Sequence, residues 1–185
     1  MAVYHIDRPD QIRALASAAR QDIVDAVTAI GPATAPEVAR ALGRTPDGLY
    51  FHLRALTKVG LLKQGEQPNV QGRMVAAYDV PGRPMRIRYD LSAGAGARAV
   101  SRVTGSMLRT ANRGFARAAS RGKARVDGPR RELWAARTRG WLSPKALEEV
   151  NRNLTRIIAL VRSGPAPRNA CSYEVTFVLS PSRSD

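Results

Sequence analysis

Only Gly43 and Arg44 separate two stretches that each read as a short amphipathic helix, and that spacing limits the fold more than any other feature of the chain. The upstream stretch, "TAPEVARALG", opens with Thr34 and Glu37 at capping-box spacing and closes on Gly43. Downstream, Thr45 is placed to cap a second helix with Pro46 at its first position, running to about Gly60. In that second helix Leu49, Leu53 and Leu56 recur at spacings of four and three and define a buried face. Asp47, Tyr50, Phe51, Arg54 and Lys58 form a second, largely separate stripe. A helix, a tight turn and a helix with an exposed basic and aromatic stripe is the arrangement that seats a recognition helix in a DNA major groove.

The surroundings are consistent with that unit. "RPDQIRALASA" places Ile12 and Leu15 at helical spacing behind Pro9, and "SAARQDIVDAVTAIG" offers Ser17 as a cap, Ile23, Val27 and Ile30 as a buried stripe, and Gly31-Pro32 as a stop. After the second helix, "GLLKQGEQPNVQGRMVAAYDV" reads as two strands around a turn containing Pro68, Asn69 and Gly72, which fits a wing with Arg73 at its tip. "MRIRYDL" is a further extended stretch. On duplex DNA, Phe51 would meet thymine methyls or sugar edges, Tyr50 a phosphate or base edge, and Arg54 a guanine or a phosphate. His52 reads as a structural, hydrogen-bonding residue of the helix and not as a titrating switch.

These blocks, "IRALASAARQDIVDAV", "APEVARALGRTPDGLYFHLRALTKVGLL" and "GRMVAAYDV", resemble in order and spacing the ArsR-type winged helix-turn-helix regulators, with His52, Leu53 and Leu56 standing in a histidine-leucine-x-x-leucine signature. The resemblance covers roughly residues 9–90 and implies a winged domain that binds double-stranded DNA, with Thr45, Pro46, Asp47, Tyr50, Phe51, Arg54, Lys58 and Arg73 as its contact set. Two positions depart from the pattern. The paired cysteines of metal-sensing members are absent from Pro36–Leu42, so no metal or other cofactor is implied, and Tyr50 stands where the family usually has a small hydroxylated residue.

The charge fits a polyanionic partner. The chain carries 30 Lys+Arg and 15 Asp+Glu, net +15, and residues 91–140 hold 12 basic and two acidic residues. A helical pattern runs from the small-residue stretch after Ser92 to about Ser120. On it Arg98, Arg102, Arg109, Arg113, Arg117 and Arg121 fall within an arc of roughly 140°, opposite Val100, Met107, Ala111, Phe115 and Ala118. Phosphate contact by Arg98, Arg102, Arg109 and Arg113, an anionic membrane surface and plain solvation compete for that face; the alanine-rich opposite side suits packing across a dimer better than membrane insertion.

"LWAARTRGWL" then reads as a strand, Ser143-Pro144 starts a helix striped by Leu147, Val150, Leu154, Ile157, Ile158 and Val161 and ended by Gly164-Pro165, and "SYEVTFVLSP" alternates as a half-buried strand. Phe115, Trp134, Trp141, Tyr173 and Phe177 either fill the core of this half or line a pocket for a small apolar effector. The expectation is therefore an α+β protein: a winged helix-turn-helix domain at 1–91, then a long helix and a small strand-helix-strand region at 92–185 for homodimerisation and effector sensing.

No Ser/His/Asp set, carboxylate pair or Walker-type loop proposes catalysis, so an enzyme is not expected. The chain has one cysteine, Cys171, read as a free structural thiol, and two histidines, which make no zinc set. Without a signal peptide or a ~20-residue apolar run, a cytoplasmic protein with no membrane partner is expected. The functional expectation is a sequence-specific transcriptional regulator acting as a dimer on a pseudo-palindromic operator. The alternative is a winged-helix adaptor that holds an acidic protein or RNA.

Overall fold

The computed structural model describes residues 3–69, 71–88, 94–162 and 172–182. Its elements are β1 (Tyr4–Ile6), α1 (Pro9–Ala14), α2 (Ala18–Ile30), β2 (Ala33–Thr34), α3 (Ala35–Leu42), α4 (Asp47–Lys58), β3 (Lys63–Pro68), β4 (Met74–Asp79), β5 (Met85–Ile87), α5 (Gly94–Ser120) and α6 (Pro144–Arg162). Mixed helix and sheet, an N-terminal helix-turn-helix, a long helix and a C-terminal helix agree with the expected α+β class. The chain divides into two compact units, Met1–Met107 and Leu108–Asp185, and the division falls within α5. The boundary expected at residue 91 lies outside the described residues, as do Cys171 and Gly164-Pro165.

In the first unit, α1 to α4 close around Ile12, Leu15, Ile23, Val27, Val38, Leu49, Leu53 and Leu56, all buried, with Leu61 and Leu62 sealing the end of α4. The capping box forms: Thr34 Oγ1 accepts from the Glu37 amide, and the Glu37 carboxylate accepts from the Thr34 amide at 2.7 Å. Those donors, the Thr34 amide first, hold the Glu37 carboxyl below its ordinary range. Gly43 ends α3 in the left-handed region (φ 62°), so the chain reverses within two residues of Leu42. The start of α4 differs by one residue from expectation. Pro46 itself occupies the cap position with helical backbone angles, and no side chain caps the helix. The ring fixes φ near the helical value, and the Pro46 carbonyl already accepts from the Leu49 amide at 2.9 Å, so Thr45 is left outside the helix. Ser17 precedes α2 without a side-chain cap bond, its carbonyl instead accepting from the Arg20 and Gln21 amides.

The wing is the hairpin β3–β4, paired from Lys63↔Asp79 to Pro68↔Met74, and β2 joins its other edge to give a three-stranded sheet in the order β2-β4-β3. A second, two-stranded sheet pairs β1 with β5 in parallel, Tyr4↔Met85 to Ile6↔Ile87. Arg83 fastens the end of the wing to α2: its guanidinium donates to the carbonyls of Thr28, Val27 and Gly31 and pairs with Asp79. Gly31 lies inside that junction, where an added Cβ would stand 2.6 Å from the Val27 carbonyl oxygen and 2.9 Å from Asp79 Oδ1. Gly31→Ala is therefore expected to destabilise the first unit by about 1–3 kcal/mol through overpacking. Urea denaturation measures this, and a change below about 0.5 kcal/mol would show that the junction yields freely.

The start of α5 belongs to the first unit, where Ala99, Val103 and Ser106 are buried and Gln21 Nε2 donates to the Val103 carbonyl at 3.3 Å. The packed stripe is thus turned from the expected Val100, Met107 and Ala111 face by close to one residue's rotation, ~100°. Small Ala99 and Ser106 let the helix backbone approach, and Met107 packs from the side.

The second unit departs further from expectation. Residues 133–142 and 172–182 contain no strand. Their alternating pattern is present, but a strand requires a neighbour for its N–H and C=O groups, and none pairs with them among the described residues. Glu132 instead gathers polar contacts, accepting from the Arg125 amide at 2.9 Å, the Arg125 guanidinium at 3.1 Å and the sequence-distant Tyr173 hydroxyl at 2.9 Å. The helix begins at Ser143-Pro144 as expected, Ser143 Oγ accepting from the Ala146 amide, yet no residue of α6 is buried.

Candidate nucleic-acid interface

Three leucines orient α4. Leu49, Leu53 and Leu56 are at most 1% exposed, which turns the rest of the helix outward. Phe51 is 65% exposed and Tyr50 45%, against a strong tendency for large aromatic side chains to be covered. Asp47, Arg54 and Lys58 share the open face, and Thr45 and a half-buried Pro46 stand at its N-terminal edge. No hydrogen bond or ion pair occupies the Arg54 guanidinium among the described residues, so its donors face water.

Two rims border this face. On the wing side, Tyr78 of β4 is buried against the fold, and that burial raises its phenol above the ordinary range; Tyr50 adds to the rise and Arg54 opposes it, which places both near the Tyr78 ring. Beyond it the hairpin tip is held by Asn69, whose Oδ1 accepts from the Gln71 and Arg73 amides, both at 2.9 Å. The Arg73 side chain is exposed there with no hydrogen bond or ion pair among the described residues.

The opposite rim was not foreseen in the sequence. His52 stacks edge-on against Phe51, ring centroids 5.5 Å apart, and its Nδ1 is buried without a hydrogen-bond partner among the described residues. The hydrogen-bonding role expected of it is not met at Nδ1, and the ring packs edge-on against Phe51 instead. Burial first, then Arg20 at the start of α2 and Arg44 in the turn, lower its pKa from 6.5. Arg44 pairs with Asp22, while Arg20 Nε lacks a partner among the described residues. Sequence order hides this rim, because Arg20 and Arg44 meet α4 through the tertiary crossing of the helices.

A depressed histidine pKa has a defined sign. The unfolded chain takes up the proton near pH 6.5 and the folded chain does so lower, so the stability associated with neutral His52 is complete above pH 6.5 and is lost as pH falls through the folded value. The midpoint of urea denaturation is expected to drop between pH 7.5 and 5.5, and His52→Gln should flatten that drop. An identical slope in the variant would show that another group is responsible.

Residues 15–65 match the family model of a helix-turn-helix domain. The match spans α2 to α4 and enters the wing, taking in Arg20, Arg44, His52 and every α4 residue of the open face. Domains of this family are DNA-binding regulatory domains. No curated protein matches the chain.

The remaining expected residues are placed as follows. Arg98, Arg102, Arg109 and Arg113 are all exposed on α5, the first two within the first unit and the others within the second. Phe115, Trp134, Trp141, Tyr173 and Phe177 do not enclose a pocket among the described residues. Trp141 is 99% exposed, Trp134 lies under the Arg131 guanidinium at 4.0 Å, and Tyr173 is tied to Glu132. A pocket needs walls held opposite one another, and residues 121–143 supply no helix or strand to hold one. An open concavity of about 680 Å³ runs instead beside Pro144, Leu147, Glu148, Asn151, Arg152 and Thr155 of α6. Among the described residues no group of three or more His, Cys, Asp or Glu is arranged to hold a metal ion, and no helix is long and apolar enough to cross a membrane.

Proposed function

We propose that the chain is a sequence-specific transcriptional regulator of the ArsR-like winged type, acting as a homodimer on a pseudo-palindromic site in double-stranded DNA. The supporting observation is the exposed face of α4: two aromatic rings and two cationic side chains stand outward on the helix that three buried leucines fix, with a hairpin wing beside it. Arg54 reads a base edge, Tyr50 and Phe51 contact the backbone and thymine methyls, and Arg73 holds a phosphate from the wing. Arg98, Arg102, Arg109 and Arg113 add phosphate contacts along the flanks. A dimer places its two recognition helices in successive major grooves ~34 Å apart, which is why a two-fold related site is expected.

The test is titration of the full chain against duplex DNA from upstream of its own coding region and against random duplex, at several salt concentrations. Tighter binding to one discrete segment, with log affinity falling by about 0.9 per phosphate neutralised for each unit of log salt, supports the reading. Binding to an acidic protein or RNA with no salt-sensitive affinity for either duplex overturns it in favour of an adaptor.

A further inference from the structure

Residues 121–143, between α5 and α6, carry seven basic and two acidic residues together with both tryptophans of the chain. Part of this segment is a closed loop. The Arg125 carbonyl accepts from the Glu132 amide at 2.8 Å, the Glu132 carboxylate accepts from the Arg125 amide and guanidinium, and Gly128 turns the chain in the left-handed region (φ 71°). That closure occupies one acid and one arginine, and leaves Asp127 as the other acidic residue of the segment. Arg121, Lys123, Arg130, Arg137 and Arg139 are all exposed, and their side chains make no hydrogen bond or ion pair among the described residues.

The two indoles stand among these cations. The Arg131 guanidinium lies over Trp134, Cζ 4.0 Å from the ring centroid, and is held there by Nε donating to the Leu133 carbonyl at 3.1 Å. Trp134 is still 68% exposed, so the ring face away from Arg131 meets water; Trp141 is 99% exposed and offers both faces. At most about 25 Å of chain separates the two residues. A strand of roughly seven stacked nucleotides at ~3.4 Å each covers that length.

We propose that residues 121–142 form a second nucleic-acid site, which takes single-stranded DNA or RNA by stacking unpaired bases on Trp134 and Trp141 while the unpartnered cations hold its phosphates. Three properties select this occupant. The excess of unpaired cations suits a polyanion. Open indole faces suit flat bases, which a single strand presents and a duplex keeps inside its own stack. The backbone disfavours a lipid surface: residues 134–142 form no helix or strand, so their N–H and C=O groups depend on water that the hydrocarbon layer does not provide. Arg137 and Arg139 also interrupt the sequence between the two rings, whereas membrane-bound segments separate their charged and apolar residues onto opposite faces. The site lies apart from α4 in the chain and goes beyond the duplex reading, which neither requires it nor fails with it.

Intrinsic fluorescence tests it, because the only tryptophans are the two residues in question and a stacked base quenches indole emission. The full chain is titrated at low salt with oligothymidylate and with oligouridylate of about 20 nucleotides, and with a mixed-sequence duplex of the same length. Quenching by one or both single strands, and little by the duplex, is expected; which single strand binds tighter tells DNA from RNA. Trp141→Ala, at a position too exposed to disturb folding, should weaken single-strand binding by roughly 5- to 100-fold, and Trp141→Phe by less. Arg137→Ala combined with Arg139→Ala should reduce the salt slope by about 1.4, ~0.7 for each phosphate released. Absence of binding by both single strands overturns the proposal, as does unchanged affinity in Trp141→Ala or quenching by the duplex as strong as by the single strands. An emission shift with anionic vesicles and none with either single strand overturns it in favour of a membrane surface. A chain that binds single strands through Trp141 but shows no duplex specificity fails the regulator reading alone; specific duplex binding without single-strand quenching fails this proposal alone.

Discussion

Arg54→Ala is expected to lower affinity for the specific DNA site by about 10- to 100-fold, the ~1–3 kcal/mol of a lost base contact, and affinity for random duplex far less. The reason lies in where the guanidinium starts from. It projects from the open face of α4, on the side of Tyr50 and Tyr78, with no hydrogen bond or ion pair among the described residues to give up on binding. Removing it therefore leaves the fold intact and takes away a fork of donors suited to a guanine edge. Arg73 makes the control, because it sits at the tip of the β3–β4 hairpin, where a phosphate is within reach and base edges are not the natural target. Arg73→Ala should weaken specific and random DNA to similar extents and reduce the salt slope by about 0.9. Fluorescence anisotropy titrations of both variants on both duplexes at three salt concentrations make the comparison. Matching losses across all four pairings would remove the distinction between a base-reading and a phosphate-holding arginine.

The winged half of the protein was legible because its signals are local. The Thr34–Glu37 box, the Gly43 turn and the leucine spacing of α4 each fix a backbone conformation or a buried face within a few residues, and together they leave one way to cross α3 and α4. What escaped reading depends on distant partners. β1 has three residues and β2 two, too short to show periodicity, and each exists because β5 or β4 offers it an edge. On α5, two overlapping stripes qualify as buried faces; the small Ala99 and Ser106 determine the outcome by permitting close approach, and an apolar scale ranks them below Val100 and Met107. Arg20 and Arg44 belong to the rim of the α4 face through helix crossing, and their sequence positions give no sign of it.

The C-terminal half reverses the pattern. There the sequence signals are strong: a three-four seam in α6 and an alternating run at 173–179. Neither signal finds its complement within the described residues of a single chain. A hydrophobic pattern specifies that a face will be covered and is silent about which molecule covers it. The aromatic residues expected to gather around an effector stand on separate pieces of the chain, Phe115 on α5 and the other four on two segments that are neither helix nor strand.

The second large effect concerns stability. Leu53 is 0% exposed at the centre of the α4 seam, in one cluster with Ile23, Val27, Val38, Leu49, Leu56 and Leu61, drawn from four segments of the first unit. Leu53→Ala removes atoms from a close-packed site whose neighbours are held by three helices, so the cavity collapses only in part; a loss of about 3 kcal/mol is expected. Against a typical domain stability of roughly 5–15 kcal/mol this is a large fraction. The urea midpoint, followed by far-ultraviolet circular dichroism, should fall without a change in slope. Phe51→Ala, two residues away, should change the unfolding free energy by less than about 0.5 kcal/mol, because its ring is already mostly in water. The same change should weaken DNA binding, which Leu53→Ala should spare under conditions where it remains folded. A single helix would thus divide its residues between holding the fold and reading the duplex. Should Phe51→Ala unfold the protein, or Leu53→Ala leave its stability unchanged, the orientation of α4 on which the proposed interface depends would be wrong.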